Sequence, residues 1–109
     1  MSSGVEHPDV VDLVTHDPAS DEYALIMIET RPWTNSAEQL AQLRDKINNY
    51  AMFALDEGLV SRYPEAAGKK VRVQLDCIEA PVGEAAQFVE LARERLAEFG
   101  VRFVVNRLE

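Results

Sequence analysis

Hydrophobic positions in this chain recur with two different periods, and the switches between them divide it into elements. Val10, Val11, Leu13 and Val14 make a short strand over residues 10–15. The following His16-Asp17-Pro18-Ala19-Ser20-Asp21 consists of residues that favour turns. Residues 22–30 form the strongest strand, rich in Ile and Tyr, so the two runs and their short turn read as a hairpin. Pro32 ends this strand because it has no N–H to give to a ladder. Two overlapping capping-box patterns come next, Asn35 with Glu38 and Ser36 with Gln39. Leu40, Leu43, Ile47, Tyr50, Ala51 and Ala54 then recur at helical spacing, with Gly58 as the expected C-cap. Such a helix is about 33 Å long, more than the strands beside it.

Residues 59–68 read as an irregular connection. Val71, Val73, Leu75 and Cys77 alternate with Arg72, Gln74 and Asp76, the mark of a half-buried strand. Pro81 precedes a second helix over 83–99, with Phe88, Val89, Ala92, Leu96 and Phe99 on one face and Gly100 closing it. Val101, Phe103 and Val105 form the last strand. The order is ββαβαβ. Right-handed crossovers that step in one direction put both helices on one sheet face. The expected fold class is α/β (α+β): a two-layer sandwich with a mixed four-stranded sheet and two helices on one face. Residues 1–8 are expected as a flexible lead-in and 9–109 as a single domain.

The second strand does not alternate. If Ala24, Ile26 and Ile28 face the helices, then Tyr23, Leu25 and Met27 face outward. With Met52, Phe53, Leu55 and Leu59 around the end of the long helix, that row is more apolar surface than two layers need. It predicts a homodimer whose interface uses Tyr23, Leu25, Met27, Met52, Phe53 and Leu55.

Composition narrows the chemistry. A length of 109 residues with 47% apolar and 28% charged residues suits one ordinary globular domain. The lone Cys77 excludes an internal disulfide and an all-cysteine metal site, and its alternating neighbourhood makes it a small buried hydrophobe. The net charge of −8 is uneven. Residues 1–35 hold seven acids against Arg31 alone, or −6; residues 36–68 hold five acids and three bases, or −2; residues 69–109 balance at seven each. That distribution repels a phosphate backbone, so no nucleic-acid partner is expected, whereas a basic protein partner is compatible with it. No run approaches the ~20 apolar residues of a membrane helix and no signal-peptide core opens the chain, so a cytoplasmic protein without a membrane partner is expected.

One place could hold a site. Ligands in α/β sheets bind beyond the C-terminal ends of parallel strands. That edge gathers Thr30, Arg31, Trp33 and Asn35 with Glu79 and Asn106-Arg107, and an antiparallel first strand delivers His7 and Asp9 to it. Arg31 beside a helix start could hold a small anion, with Trp33 as a stacking wall and Asn35 and Glu79 alongside. The structural alternative has Trp33 packing as a staple, Arg31 pairing with Glu29 or Glu79, and Asn35 and Ser36 serving as caps. His16-Asp17 with Asp21 and Glu22 lacks the spacing of a calcium loop. Ser20, Ser36 and Ser61 lack a glycine-flanked elbow, and the five glycines stand apart. No catalytic residue, metal ligand or cofactor is assigned.

Pro8-Asp9-Val10-Val11-Asp12-Leu13, the run from Ala24 through Arg31-Pro32-Trp33, and the long helix after it together resemble a family of small bacterial proteins of unknown function. Its members carry a Pro-Asp-x-x-Asp segment and an Arg-Pro-Trp turn before helix one. The resemblance implies a stand-alone bacterial cytoplasmic domain and brings no activity with it. The leading expectation is therefore a protein-interaction module, with small-anion binding or catalysis at the Arg31/Trp33 edge as the alternative.

Overall fold

The computed structural model describes residues 12–55 and 58–108. The elements are β1 (Leu13–Asp17), β2 (Glu22–Glu29), α1 (Ala37–Leu55), α2 (Gly58–Arg62), a 3-10 turn (Pro64–Ala66), β3 (Lys70–Cys77), α3 (Gly83–Ala97) and β4 (Arg102–Arg107). The sheet order is β1-β2-β3-β4. β1 runs antiparallel to β2, and β2, β3 and β4 are mutually parallel. The expected ββαβαβ sandwich is therefore the fold. α1 and α3 each return the chain between adjacent parallel strands, so they run in the same direction on the same face.

The core lies between that face and the two long helices. Leu25, Met27, Val73, Leu75 and Phe103 come from the sheet, Leu40, Leu43, Ile47 and Tyr50 from α1, and Ala85, Val89, Ala92 and Leu96 from α3. This reverses the expected facing of β2. Tyr23, Leu25 and Met27 are buried against the helices and cannot form an exposed row, while Ala24, Ile26 and Ile28 lie on the other face. β2 is apolar on both faces, so its own pattern carries no phase. The register supplies it: Ala24, Ile26 and Ile28 stand opposite Arg72, Gln74 and Asp76, whose polar alternation marks the open face. Ala24 and Ile26 are still covered there, beside side chains whose long stems lie along the sheet.

Local chemistry explains the element ends. The Ser36 Oγ accepts the Gln39 N–H at 3.1 Å, an N-cap for α1. At the end of α3, Val101 N–H donates to the Leu96 carbonyl at 3.0 Å and Gly100 adopts φ 76°, a glycine-terminated helix end as expected. Gly58 differs from expectation. It opens α2 rather than capping α1, and a Cβ there would lie 2.8 Å from the Phe53 ring. Residues 59–68 are also more ordered than an irregular connection, because Leu59 and Ala66 are buried in α2 and the 3-10 turn. The expected lead-in over 1–8, which includes His7, lies outside the described residues, as do Asp9 and Val10 and Val11 of the expected first strand.

Candidate functional site

The strand-to-helix edge is built around a buried carboxylate. Glu29 ends β2 with its side chain fully enclosed, and Arg31 closes on it with two bonds, Nε to Oε1 at 2.8 Å and Nη2 to Oε2 at 2.7 Å. The Arg31 backbone N–H also donates to Oε1 at 3.0 Å. The same Nη2 reaches the Gln42 side-chain oxygen of α1 at 2.9 Å. Gln39 is buried one turn earlier. Its Nε2 donates to the Pro32 carbonyl at 3.0 Å, and its Oε1 accepts the Thr34 N–H at 2.9 Å and the Asn35 N–H at 3.3 Å. Together these bonds pin the Arg31-Pro32-Trp33 turn to the first two turns of α1.

Trp33 and Asn35 extend the knot to the second crossover. The Trp33 indole N–H donates to the Glu79 carbonyl at 2.7 Å, joining the exits of β2 and β3, and the ring is 8% exposed. Asn35 caps α3 rather than α1: its Oδ1 accepts the Ala85 N–H at 3.0 Å. It sits at φ 56°, which asparagine tolerates better than most residues, and faces Gly83, where a Cβ would lie 2.8 Å from its amide nitrogen. Glu79 contributes its backbone while its side chain points to solvent. The four edge residues are thus brought together, as hydrogen-bonded joints between elements. Arg31 takes Glu29 as its partner, and Trp33 presents almost no open face for stacking.

A second polar cluster lies under α1, where the periodicity of that helix suggests only core. Lys46 lies on the buried stripe between Leu43 and Tyr50, and its Nζ meets Asp12 Oδ1 at 2.7 Å with both side chains 0% exposed. Asp12 Oδ2 accepts the Ile28 N–H at 3.0 Å. The Tyr50 hydroxyl donates to the Ile26 carbonyl at 2.8 Å and accepts the Asp12 N–H at 2.7 Å. Burial pushes the Tyr50 phenol well above its usual range. The cluster therefore fastens the entry of β1 to β2 and α1. Lys46 could have been found from its spacing, since it is three residues after Leu43 and four before Tyr50.

The open sheet face carries a third network. Glu22 is buried between Arg102 and Arg72, with Arg72 Nη1 at 2.8 Å. The hydrogen bonds from Arg102, followed in effect by those from Arg72, hold the Glu22 carboxyl below its ordinary range. Gln74, Asp76 and Asn106 continue the row. At the hairpin, Asp21 accepts from His16 at 2.8 Å and from Lys69 at 2.6 Å, so this acid-rich turn is an ion-paired corner. Among the described residues no group of three or more His, Cys, Asp or Glu side chains could hold a metal ion, and no helix is long and apolar enough to cross a membrane. Cys77 is buried, and desolvation raises its thiol pKa, so it is a packed hydrophobe as expected.

A concavity lies elsewhere, on the outer side of the helical layer. A groove of about 370 Å³ runs between α1 and α3. Ile47, Ala51 and Leu55 line it from one helix, and Phe88, Leu91, Ala92, Leu96 and Phe99 from the other. Small residues on both helices, Ala51 and Ala92, leave the seam unfilled. Phe99 is 64% exposed, Leu91 51% and Leu55 44%, while Met52 stands nearby on the same helix at 60%. Of the expected interface, then, Met52 and Leu55 are on the surface, and Phe53 packs partly against the core. The apolar face expected for α3 was too wide: Val89, Ala92 and Leu96 are core, whereas Phe99 is not. Its helical spacing could not reveal this, because one face of α3 meets both the sheet and the groove.

The molecule is thus a two-layer ββαβαβ sandwich with a polar open sheet face, knotted strand exits and an apolar groove on its helical layer. It belongs to the family of unknown function DUF6572, whose model matches residues 2–109. Neither a curated protein nor a solved structure matches the chain.

Proposed function

We propose that this protein is a non-enzymatic interaction domain that docks another protein in the groove between α1 and α3. The observation that carries this reading is the groove itself, apolar along both walls and edged by Leu91 and Phe99, each more than half exposed. A contiguous apolar surface of this kind on a small soluble domain marks an interaction site. The polar clusters point the same way by elimination, since each holds its charged groups in bonds that join secondary-structure elements. The alternative, a small-anion or catalytic site at Arg31 and Trp33, has less support: Glu29 and Gln42 engage the guanidinium, and the indole is buried.

A homodimer through the expected row also has less support. Tyr23, Leu25 and Met27 lie inside, and two copies at −8 each repel one another. The acidic first third still suits a basic partner through long-range attraction, and a bacterial cytoplasmic setting belongs to the same proposal. The test is affinity capture from a lysate of the source organism with wild-type, Leu91→Glu and Ile78→Glu baits. Ile78 is also exposed and apolar but lies outside the groove. A partner retained by wild type and Ile78→Glu and lost by Leu91→Glu supports the reading. Equal capture by all three baits refutes it.

A further inference from the structure

We infer that the segment seated in the α1/α3 groove is an amphipathic helix of a partner protein that carries carboxylates on both of its flanks. This inference rests on the docking reading above. Its first support is shape. The lining runs from Arg44 to Leu55 on α1 and from Phe88 on α3 to Phe99 in the turn that follows it. Each wall is therefore about 16 Å long, or about three helical turns. Two helices running in the same direction with small residues at their seam make a channel open along its length. A third helix fills such a channel with side chains at i, i+4, i+7 and i+11.

The second support is charge. Among the described residues, the charged ones that line the groove are Arg44 from α1 and Arg95 from α3, one on each wall. Glu84, Glu90 and Glu94 of α3 and Glu98 just after it are exposed, but none lines the groove. Arg95 makes no ion pair among the described residues. Arg44 reaches only its exposed neighbour Asp45, at 3.3 Å. A helix lying along the channel passes between these two cations, so acids on its flanks meet a guanidinium on either side. The overall charge predicts the opposite partner, because a chain at −8 attracts bases from a distance. Contact geometry prevails at physiological salt, where charges beyond about 8 Å are largely screened.

Two fluorescent peptides of about 16 residues, each long enough to fill the groove, separate these predictions. Both carry leucines at i, i+4, i+7 and i+11; one has glutamates flanking them and the other lysines. Anisotropy titration of the full chain should show the glutamate peptide binding about tenfold tighter, with the gap shrinking as salt rises. The double variant Arg44→Glu/Arg95→Glu, which changes exposed side chains, should reverse the order. Equal affinities, or a preference of wild type for the lysine peptide, would overturn the inference. Binding of neither peptide would overturn it as well, and sedimentation then shows whether the docking reading survives. A dimer broken by Leu91→Glu would keep the groove as an interface, filled by a second copy. A wild-type monomer would leave the docking reading to the Leu91→Glu capture, which decides it separately.

Discussion

Replacing Lys46 with methionine should be among the most damaging single changes to this fold, although no surface changes. The Asp12–Lys46 pair is 2.7 Å long and neither side chain is exposed. Methionine has a similar volume, so the cavity term is small and the electrostatic term dominates. Removing Lys46 takes away the ammonium that meets the buried Asp12 carboxylate at 2.7 Å, a loss of about 3–5 kcal/mol; an exposed pair would contribute about 0–1. Total stability for a domain of this size is about 5–15 kcal/mol, so Lys46→Met would consume a large part of it. The melting temperature should fall by about 15–25 °C.

The double variant Asp12→Asn/Lys46→Met tests the reasoning. Asparagine still accepts the Ile28 N–H that Asp12 holds at 3.0 Å, so that backbone donor is not orphaned, and neither charge of the pair remains buried. It should regain about 2–3 kcal/mol relative to Lys46→Met, a coupling that reports the uncompensated charge. Urea unfolding with an unchanged m-value is the assay. A Lys46→Met loss below about 1 kcal/mol, or a coupling below about 0.5, would show that the pair is solvated and the argument wrong.

Three further expectations rest on separate observations. Asn35→Ala loses the cap on Ala85 and also forces alanine to φ 56°, whereas Asn35→Gly loses only the cap, so the glycine variant should be more stable by about 1 kcal/mol in urea unfolding. Arg102 and then Arg72 hold the Glu22 carboxyl below its ordinary value of 4.5, so this contribution is present above that value and is lost as pH falls below it. Acid unfolding of Glu22→Gln should be correspondingly less steep than that of wild type, and identical slopes would contradict it. Burial raises the Tyr50 phenol above its ordinary 10.0, so its stabilising effect is full below that pH and declines as pH rises past it. Ultraviolet titration should therefore show the Tyr50 phenolate appearing together with unfolding, and Tyr50→Phe, which loses bonds to Ile26 and Asp12, should cost about 1–3 kcal/mol.

Residue order alone determined the four strands, the two long helices and their succession. The alternation of Val71 to Cys77, the stripe from Leu40 to Tyr50, the caps at Ser36 and Gly100 and the breaks at Pro32 and Pro81 are local signals, each read within a few residues. Handedness puts both helices on one sheet face when the crossovers step in one direction, whereas the strand order β1-β2-β3-β4 came from the fold. The pairing of Arg31 with Glu29 was also open to reading, because the two residues are separated by one position.

Tertiary structure decided whatever depends on which surfaces meet. The facing of β2 came from its register with β3, since a strand apolar on both sides has no phase of its own. Asn35 resembled a cap for the nearest helix, yet it serves α3, fifty residues away from its partner Ala85. Asp12 and Lys46 are thirty-four positions apart, and only packing takes both of them out of water. The groove depends on distance in the same way. Leu91 and Phe99 have the spacing of core residues, and it is the seam between α1 and α3 that leaves them exposed, with Phe88 half-buried beside them. Periodicity shows that a face is apolar; what covers that face is determined by parts of the chain far from it.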